Sequence, residues 1–130
     1  MQAVKYRAKV FKSNKWIYRQ PFHIRGTWYM YNSLWDMVRI DNRTISQYTE
    51  QNDVNHKEIY GGDIVARTVL AFGDQRTFIG EVKMYEGCWW IDNGSAAVLL
   101  WNDMHELKVL GNIHDNQEIL EQEDKNEDSI

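Results

Sequence analysis

Cysteine, proline and long apolar runs are all scarce in this chain of 130 residues. Cys88 is the only cysteine, which excludes an intrachain disulfide and a metal site built from cysteines. No apolar run approaches the roughly 18 residues of a membrane-spanning helix. The first residues also lack the apolar stretch of a signal peptide. We therefore expect a cytoplasmic protein, in a reducing compartment and without membrane contact.

Motifs for catalysis are missing as well. The four histidines have no partner at i, i+4 and no cysteine at ligand spacing, and no glycine-rich phosphate loop is present. Several carboxylates fall at or near predicted strand ends and turns, where turn chemistry accounts for them: Asp63, Glu81, Asp92 and Asp103. Cys88, beside Trp89 and Trp90, is expected to be a buried and inert thiol. We predict no enzyme, no cofactor, no metal and no small-molecule substrate.

Large apolar residues, by contrast, are abundant. Apolar residues make up 43% of the chain, and six of the residues are tryptophan, against a single proline. This content is enough for a packed core without disulfides or metal. Many large aromatic and β-branched residues with little proline favour a sheet-rich domain.

Charge is distributed unevenly, although the formal net charge is only −4. Residues 1–45 contain nine lysines and arginines against two acidic residues, residues 46–114 five against ten, and residues 115–130 one against seven. A basic front half can indicate a nucleic-acid or acidic-partner surface. It fits equally a chain whose two halves meet, within one molecule or between subunits. A dedicated DNA-binding protein is usually basic overall, which favours the second interpretation.

Alternation near the N-terminus predicts a strand with two different faces. From residue 4 to residue 10, apolar side chains alternate with the cations Lys5, Arg7 and Lys9. A polar turn over residues 12–15 and a return strand from Trp16 complete a predicted hairpin. We expect the apolar face to lie in the core and the three cations to lie in solvent.

The next segment is aromatic and less regular. Residues 24–31 predict a strand, and residues 45–49 predict a short one. Between them, the apolar residues from Leu34 to Ile40 fit a helix or a strand, and the pattern does not decide between the two. Residues 50–57 predict a polar loop.

Residues 58–113 predict a compact antiparallel unit of about five strands. Turn signals at Gly61, Gly73, Gly87 and Gly94 recur about every ten residues. The predicted strands cover residues 63–69, 78–85, 88–91, 96–101 and 107–113, with a turn over residues 73–76. This spacing is typical of an SH3-like small β-barrel. Asp115 with Glu118 three positions later predicts the start of a short C-terminal helix.

The predicted fold class is therefore mainly β (α+β). An N-terminal β-rich element, including the β-hairpin, is expected over residues 1–50. An SH3-like β-barrel with its closing helix is expected over residues 51–122. A mobile acidic tail is expected over residues 123–130, because that segment is charged and poor in apolar residues.

Two segments of the chain resemble the ends of a known pattern. Residues 57–65 form a polar lead-in, a glycine turn and a strand start, and residues 110–113 form a strand end and a polar break. With residues 6–18, 47–49, 80–82 and 87–89 in the same order and spacing, they resemble the YopX protein family of bacteriophages and prophages. The resemblance implies a phage-encoded protein in the cytoplasm of a bacterial host, and it supplies no catalytic residues.

One loop departs from the pattern of that family. The family usually has a Gly-Leu pair and then a polar turn containing glycine, whereas Glu50, Gln51 and His56 stand at those places here. From Lys57 onward the chain returns to the pattern, with Gly61 where an acidic residue is common.

The residues that carry the resemblance also have a structural interpretation. We call them the fold signature: Tyr60, Gly62, Asp63, Gly111 and Asn112. Gly62 allows a positive φ at a tight corner, and Asp63 can accept hydrogen bonds from nearby backbone N–H groups. Gly111 and Asn112 can likewise form a tight corner and accept backbone hydrogen bonds where the last strand leaves its sheet.

Cations and aromatic rings are interleaved in the N-terminal half. The candidate interface or nucleic-acid contacts are Lys5, Arg7, Lys9, Lys15, Trp16, Arg19 and Trp28. Proteins that bind single-stranded nucleic acid use such interleaving, although alternate rings can also simply fill a core. Trp28 and Tyr29 cannot face the same side of one strand, so one of them needs a cover. The leading interpretation is a homo-oligomeric assembly or binding protein. The alternative is a nucleic-acid-binding accessory protein of phage replication or recombination.

Overall fold

The computed structural model describes residues 4–71, 73–101 and 105–122. The predicted acidic tail, residues 123–130, lies outside these described residues. The chain divides into two units, Met1–Tyr48 and Thr49–Ile130, which we call the N-terminal unit and the C-terminal unit. The division falls inside one strand, Ser46–Asn52, so this strand contributes residues to both units.

The N-terminal unit is built from short antiparallel strands. They are β1 Tyr6–Lys9, β2 Trp16–Ile17, β3 Phe22–Ile24, β4 Thr27–Ser33 and β5 Asp36–Arg39, followed by a 3-10 helix at Asn42–Thr44 and the start of β6 Ser46–Asn52. The predicted N-terminal hairpin is confirmed, because Ala8 of β1 lies opposite Ile17 of β2. On its other edge β1 pairs with β6, with Tyr6 opposite Gln47. Strands β3, β4 and β5 form a separate three-stranded sheet.

A small apolar core holds the N-terminal unit together. Its buried residues come from three strands and the β5 exit: Ala8, Ile17, Met30 and Ile40. Strand β5 settles the segment that fitted either a helix or a strand. Met30 lies opposite Val38 in the β4–β5 pair, so cross-strand contacts fix the extended form.

The C-terminal unit is a larger antiparallel sheet. Its strands are β7 Glu58–Tyr60, β8 Asp63–Ala71, β9 Asp74–Tyr85, β10 Cys88–Asp92, β11 Ala97–Leu99 and β12 Glu106–Asn112. Five of them form one sheet in the order β11-β10-β9-β8-β12, and β7 pairs with the end of β6. The predicted turn over residues 73–76 is wrong. Asp74 already pairs with Ala71, so the β8–β9 connection is shorter and β9 begins earlier.

Residues from five strands and the segment after β11 make the core of the C-terminal unit: Ile59, Val65, Val82, Ile91, Leu100 and Leu107. Side-chain alternation along β10 sends Trp89 and Ile91 toward this core. The same alternation leaves Cys88 on the other side, where it is exposed. The prediction of a buried thiol is therefore wrong, because an apolar neighbour in sequence points to the opposite face of a strand.

A short helical segment at residues 118–122 follows the last strand. The predicted mainly β class with a short C-terminal helix is confirmed. The large sheet is curled into a half-barrel, while the finer assignment to an SH3-like barrel stays a prediction. Among the described residues, no helix is long and apolar enough to cross a membrane.

Candidate protein-interaction surface

The three-stranded sheet of the N-terminal unit has one face toward its core and one face away from it. Trp28, Met30 and Val38 share the core side and pack with the buried cluster. Register places the opposite set on the outer side, since residues directly opposite in a strand pair share a face. We call this set the outer face: Phe22, Ile24, Thr27, Tyr29, Tyr31, Met37 and Arg39.

Aromatic rings run across the outer face. The ring of Phe22 lies 6.0 Å from that of Tyr29 and 5.1 Å from that of Tyr31, both in stacked orientation. Ile24, Tyr31 and Met37 are about half exposed, at 50%, 48% and 45%. Aromatic and aliphatic side chains, three of them about half exposed, therefore dominate the outer face, and Arg39 is the one charged residue of this set.

The hairpin that joins β4 to β5 ends in two large apolar side chains. Leu34 and Trp35 are 77% and 89% exposed, and Trp35 is the most exposed large apolar residue that the structure describes. The base of this hairpin is fixed by a hydrogen bond from Asn32 Nδ2 to Asp36 Oδ2 at 3.3 Å. An ordered strand pair thus presents an indole ring directly to solvent. We call Leu34 and Trp35 the tip.

Two of the three cations predicted to lie in solvent are buried. Arg7 is 5% and Lys9 is 9% exposed, whereas Lys5 is exposed. Trp16 lies opposite Lys9 in the hairpin, and its ring centroid is 4.6 Å from the guanidinium carbon of Arg7 and 5.5 Å from Lys9 Nζ. Arg7 Nε also donates to Ser46 Oγ at 3.1 Å. The predicted solvent position of Arg7 and Lys9 is therefore wrong, because the neighbouring tryptophan covers that face of β1 through cation–π contacts.

The other candidate contacts are dispersed. Lys15 and Arg19 are exposed on the turn before β2 and on the segment after it. Trp28 is half-buried, with its ring 4.9 Å from that of His23. Trp28 thus belongs to the core side, and its neighbour Tyr29 is the ring that points outward. Sequence reasoning required one outward ring but could not say which residue carried it.

The residues of the fold signature lie together at one corner of the C-terminal unit. Tyr60 N–H donates to the buried Asp63 Oδ2 at 2.8 Å, across Gly62, whose φ is +84°. Gly62 N–H donates to the carbonyl of Val82 at 2.9 Å, and Gly62 accepts from Ile113 N–H at 2.9 Å. The carboxylate that stabilises this turn is fully buried, since Asp63 is only 1% exposed.

The second half of the fold signature lies beside the first. Asn112 pairs directly with Asp63 in the β8–β12 register, after an irregularity between Val109 and Gly111. Asn112 Oδ1 accepts from the backbone N–H groups of His114 and Asp115 at 2.9 and 3.0 Å. These contacts support the structural interpretation of both motifs, since every one of them shapes a corner of the backbone.

The segment that contains both motifs also matches a family model. The model of the YopX protein family matches residues 5–121, which is most of the chain. The chain belongs to the YopX protein family. The predicted resemblance is confirmed, and within the matched residues Asp63 pairs with Asn112. No curated protein matches the chain.

Asp53 is a structural residue that sequence reasoning missed in this YopX chain. It is 6% exposed, and its Oδ1 accepts from Asn55 N–H and Lys57 N–H at 2.8 and 2.9 Å. Its Oδ2 accepts from Val109 N–H at 2.9 Å, which ties the β6–β7 connection to β12. Burial alone would raise the pKa of Asp53, but these three backbone hydrogen bonds lower it below its ordinary value. The only sequence signal for Asp53 was its position as an Asx residue in a polar loop. Asx residues occur in many turns, so this signal did not single out Asp53.

Ionisable groups line one face of β9 beside β10. Lys83 Nζ lies 3.8 Å from Glu81 Oε1, and Tyr85 donates to Asp92 Oδ2 at 2.8 Å. Burial raises the pKa of Glu81, with Lys83 opposing and Asp92 reinforcing that shift. The hydrogen bond to Asp92 raises the pKa of Tyr85. These four groups therefore pair locally on the sheet, one pair as an ion pair and the other through a hydrogen bond.

The described histidines do not gather with other ligand residues. His105 lies against the guanidinium of Arg67, which donates to its ring. Across the part of the chain that the structure describes, no group of three or more His, Cys, Asp or Glu side chains is placed to hold a metal ion.

An apolar pocket lies at the β10–β11 edge of the C-terminal unit. Its volume is about 300 Å3, and its walls include Trp89, Leu99, Leu100 and Trp101. Cys88, whose side chain is exposed, is also among its lining residues. This volume is at the lower end of the range of ligand pockets. We call it the edge pocket.

Proposed function

We propose that this YopX protein is a non-enzymatic, phage-encoded binding protein that assembles with further copies of itself through its N-terminal unit. The observation that carries the proposal is the exposed apolar surface of that unit, the outer face together with the tip. Contiguous apolar patches on soluble proteins mark interaction sites. Scattered single apolar residues would need no such explanation.

The composition of the outer face supports a protein partner. It combines aromatic residues, Met37, Ile24 and one arginine, and it contains no lysine, glutamate or aspartate. Interface centres are enriched in aromatic residues, methionine and arginine and depleted in lysine and carboxylates. Nucleic-acid surfaces, by contrast, need several exposed cations to contact phosphates.

The charge of the chain supports a second copy as that partner. Residues 1–48 contain nine lysines and arginines against two acidic residues, and residues 49–130 contain six against seventeen. Two copies can therefore bring a basic N-terminal unit to an acidic C-terminal unit. Opposite charges steer partners together and set their register.

Two features support a non-enzymatic role in the bacterial cytoplasm. The perturbed carboxylates Glu81 and Asp92 are each paired on the sheet beside Lys83 and Tyr85, and neither lines the edge pocket. The lone exposed thiol of Cys88 suits a reducing compartment, where it stays free.

Sedimentation equilibrium tests the proposal. At tens of micromolar protein, low salt and with a reductant present, we expect an oligomer that weakens as salt is added, because salt screens the attraction between the oppositely charged units of two copies. The reductant matters because an intermolecular Cys88 disulfide would otherwise imitate assembly. A wild-type monomer at these concentrations would overturn the proposal.

Nucleic acid is a second candidate partner, and one observation favours it. The stacked rings of Phe22, Tyr29 and Tyr31 lie on an open sheet face, in a unit that is basic overall. Bases of single strands stack on such rings. Trp16 does not contribute to this surface as a free platform, since Arg7 and Lys9 pack against its ring.

Fluorescence anisotropy with a labelled single strand separates the two candidates. We expect no binding tighter than about 10⁻⁶ M at physiological salt, which is the upper edge of non-specific affinity. The variant Lys15→Ala/Arg19→Ala tests whether exposed cations contact phosphate, since both side chains are exposed. Sub-micromolar binding by the wild type, with a salt slope that this variant reduces, would make nucleic acid the partner instead.

A further inference from the structure

The tip is a projecting apolar group without a cover. Trp35, at 89% exposure, and Leu34, at 77%, stand at the end of an ordered β-hairpin. An exposed tryptophan on a rigid element is the kind of residue that dominates binding energy when it enters a pocket on a partner. Neither Leu34 nor Trp35 belongs to the apolar core of the N-terminal unit, which is formed by other residues.

The edge pocket is a cavity of matching chemistry on the same chain. Its exposed wall is formed by Leu99 and Trp101, at 48% and 62% exposure, and Trp89 and the buried Leu100 lie deeper. Leu99 belongs to β11, one of the two edge strands of the five-stranded sheet. The polar residues Thr49 and Gln51 complete its lining, so its walls carry no charged side chain.

We infer that the tip of one copy inserts into the edge pocket of a second copy. This inference rests on the proposed assembly and specifies the contact that makes it. The indole of Trp35 enters an apolar cavity, and the basic N-terminal unit of one copy meets the acidic C-terminal unit of the next. The opposite net charges of residues 1–48 and 49–130 favour this order of contact over a pairing of two N-terminal units.

The symmetry of the assembly follows from this contact. Because each copy presents one tip and one pocket, the contact is heterologous and joins copies head to tail. Such contacts close into rings or continue as filaments. A two-fold contact between identical outer faces would instead stop at a dimer.

The first test removes each half of the contact in turn. Trp35→Ala removes the tip, and Leu99→Arg places a cation at the mouth of the pocket. We expect each variant to associate about 30-fold more weakly or worse in sedimentation equilibrium, the loss expected for a central tryptophan. Tyr18→Ala and Leu70→Arg are the matched controls, since these residues are exposed and lie outside the tip and the pocket. Thermal melts followed by circular dichroism check that all four variants fold.

Mixing the two variants then tests the direction of the contact. Trp35→Ala keeps its pocket and Leu99→Arg keeps its tip, so each mixed pair can form one contact but no chain of contacts. We expect a one-to-one heterodimer and nothing larger. A mixture that stays monomeric would overturn the head-to-tail contact.

The thiol at the pocket supplies a readout that does not depend on size. Cys88 lines the edge pocket, so its alkylation rate should fall as wild-type protein is concentrated, and should not fall for Trp35→Ala. If the wild type assembles but Trp35→Ala assembles equally well, the tip contact is wrong and the proposed assembly stands. If the wild type is monomeric, both are wrong.

Discussion

Replacing Gly80 with alanine should destabilise the C-terminal unit by about 3 kcal/mol, the upper part of the range for overpacked interiors. Gly80 is buried in β9, opposite Val65. A Cβ atom at this position would lie 2.6 Å from the carbonyl oxygen of Asp92 and 3.0 Å from a methyl group of Ile91. The Asp92 atoms are backbone held in the β9–β10 ladder, so they cannot rotate away as a side chain would.

Thermal unfolding followed by circular dichroism measures this effect. A loss of 3 kcal/mol in a unit of this size corresponds to a fall in Tm of about 15 °C. Gly87→Ala is the matched control, because Gly87 has open space around its Cβ direction and only a positive φ of +79°. That substitution should cost about 1 kcal/mol from backbone strain. Equal effects of the two substitutions would show that the strand does give way at Gly80.

Replacing Asp53 with asparagine should cost about 2 kcal/mol at neutral pH, as expected when buried donors lose their acceptor. Both carboxylate oxygens of Asp53 are used, one by Asn55 and Lys57 and the other by Val109. An amide keeps one oxygen and turns an NH2 group toward a backbone donor, so at least one N–H loses its acceptor.

The cost of Asp53→Asn should depend on pH. The folded-state pKa of Asp53 is lowered, so its contribution is fully present above the unfolded pKa of about 3.9 and is lost as pH falls through the folded value. In urea unfolding, we expect a constant gap between wild type and variant from pH 7 to about pH 5, and a narrowing gap below about pH 4. Asp74→Asn, at an exposed carboxylate, should show no such gap. A gap that persists unchanged at pH 3 would mean that the charge of Asp53 is not the cause.

Strands were predictable where alternation is strong and local. The apolar alternation before Val10 and the turn at residues 12–15 predicted the first hairpin, and Ala8 indeed lies opposite Ile17. The glycine turns of the C-terminal unit predicted its sheet in the same way. Residues 34–40 could not be decided, because β5 owes its extended form to pairing with β4, such as Met30 opposite Val38. A short apolar run does not contain that information.

Side-chain environment was harder to predict than strand position. The alternation of β1 placed Arg7 and Lys9 on the same face, but only the approach of Trp16 decided that this face is covered. Asp53 is one of many turn-forming carboxylates in the sequence. Its importance arises from Val109, 56 positions away, which supplies the third hydrogen bond.

The sequence by itself determined the family, the mainly β class and the residues at the signature corner. Tyr60, Gly62 and Asp63 act over a few positions, and local turn chemistry is written in local sequence. The tertiary structure decided which rings are core and which are surface. Trp28 turns inward and Tyr29 turns outward because strand register, and not residue type, selects the face. Trp35 is exposed because it lies in the turn between β4 and β5, outside the paired strands.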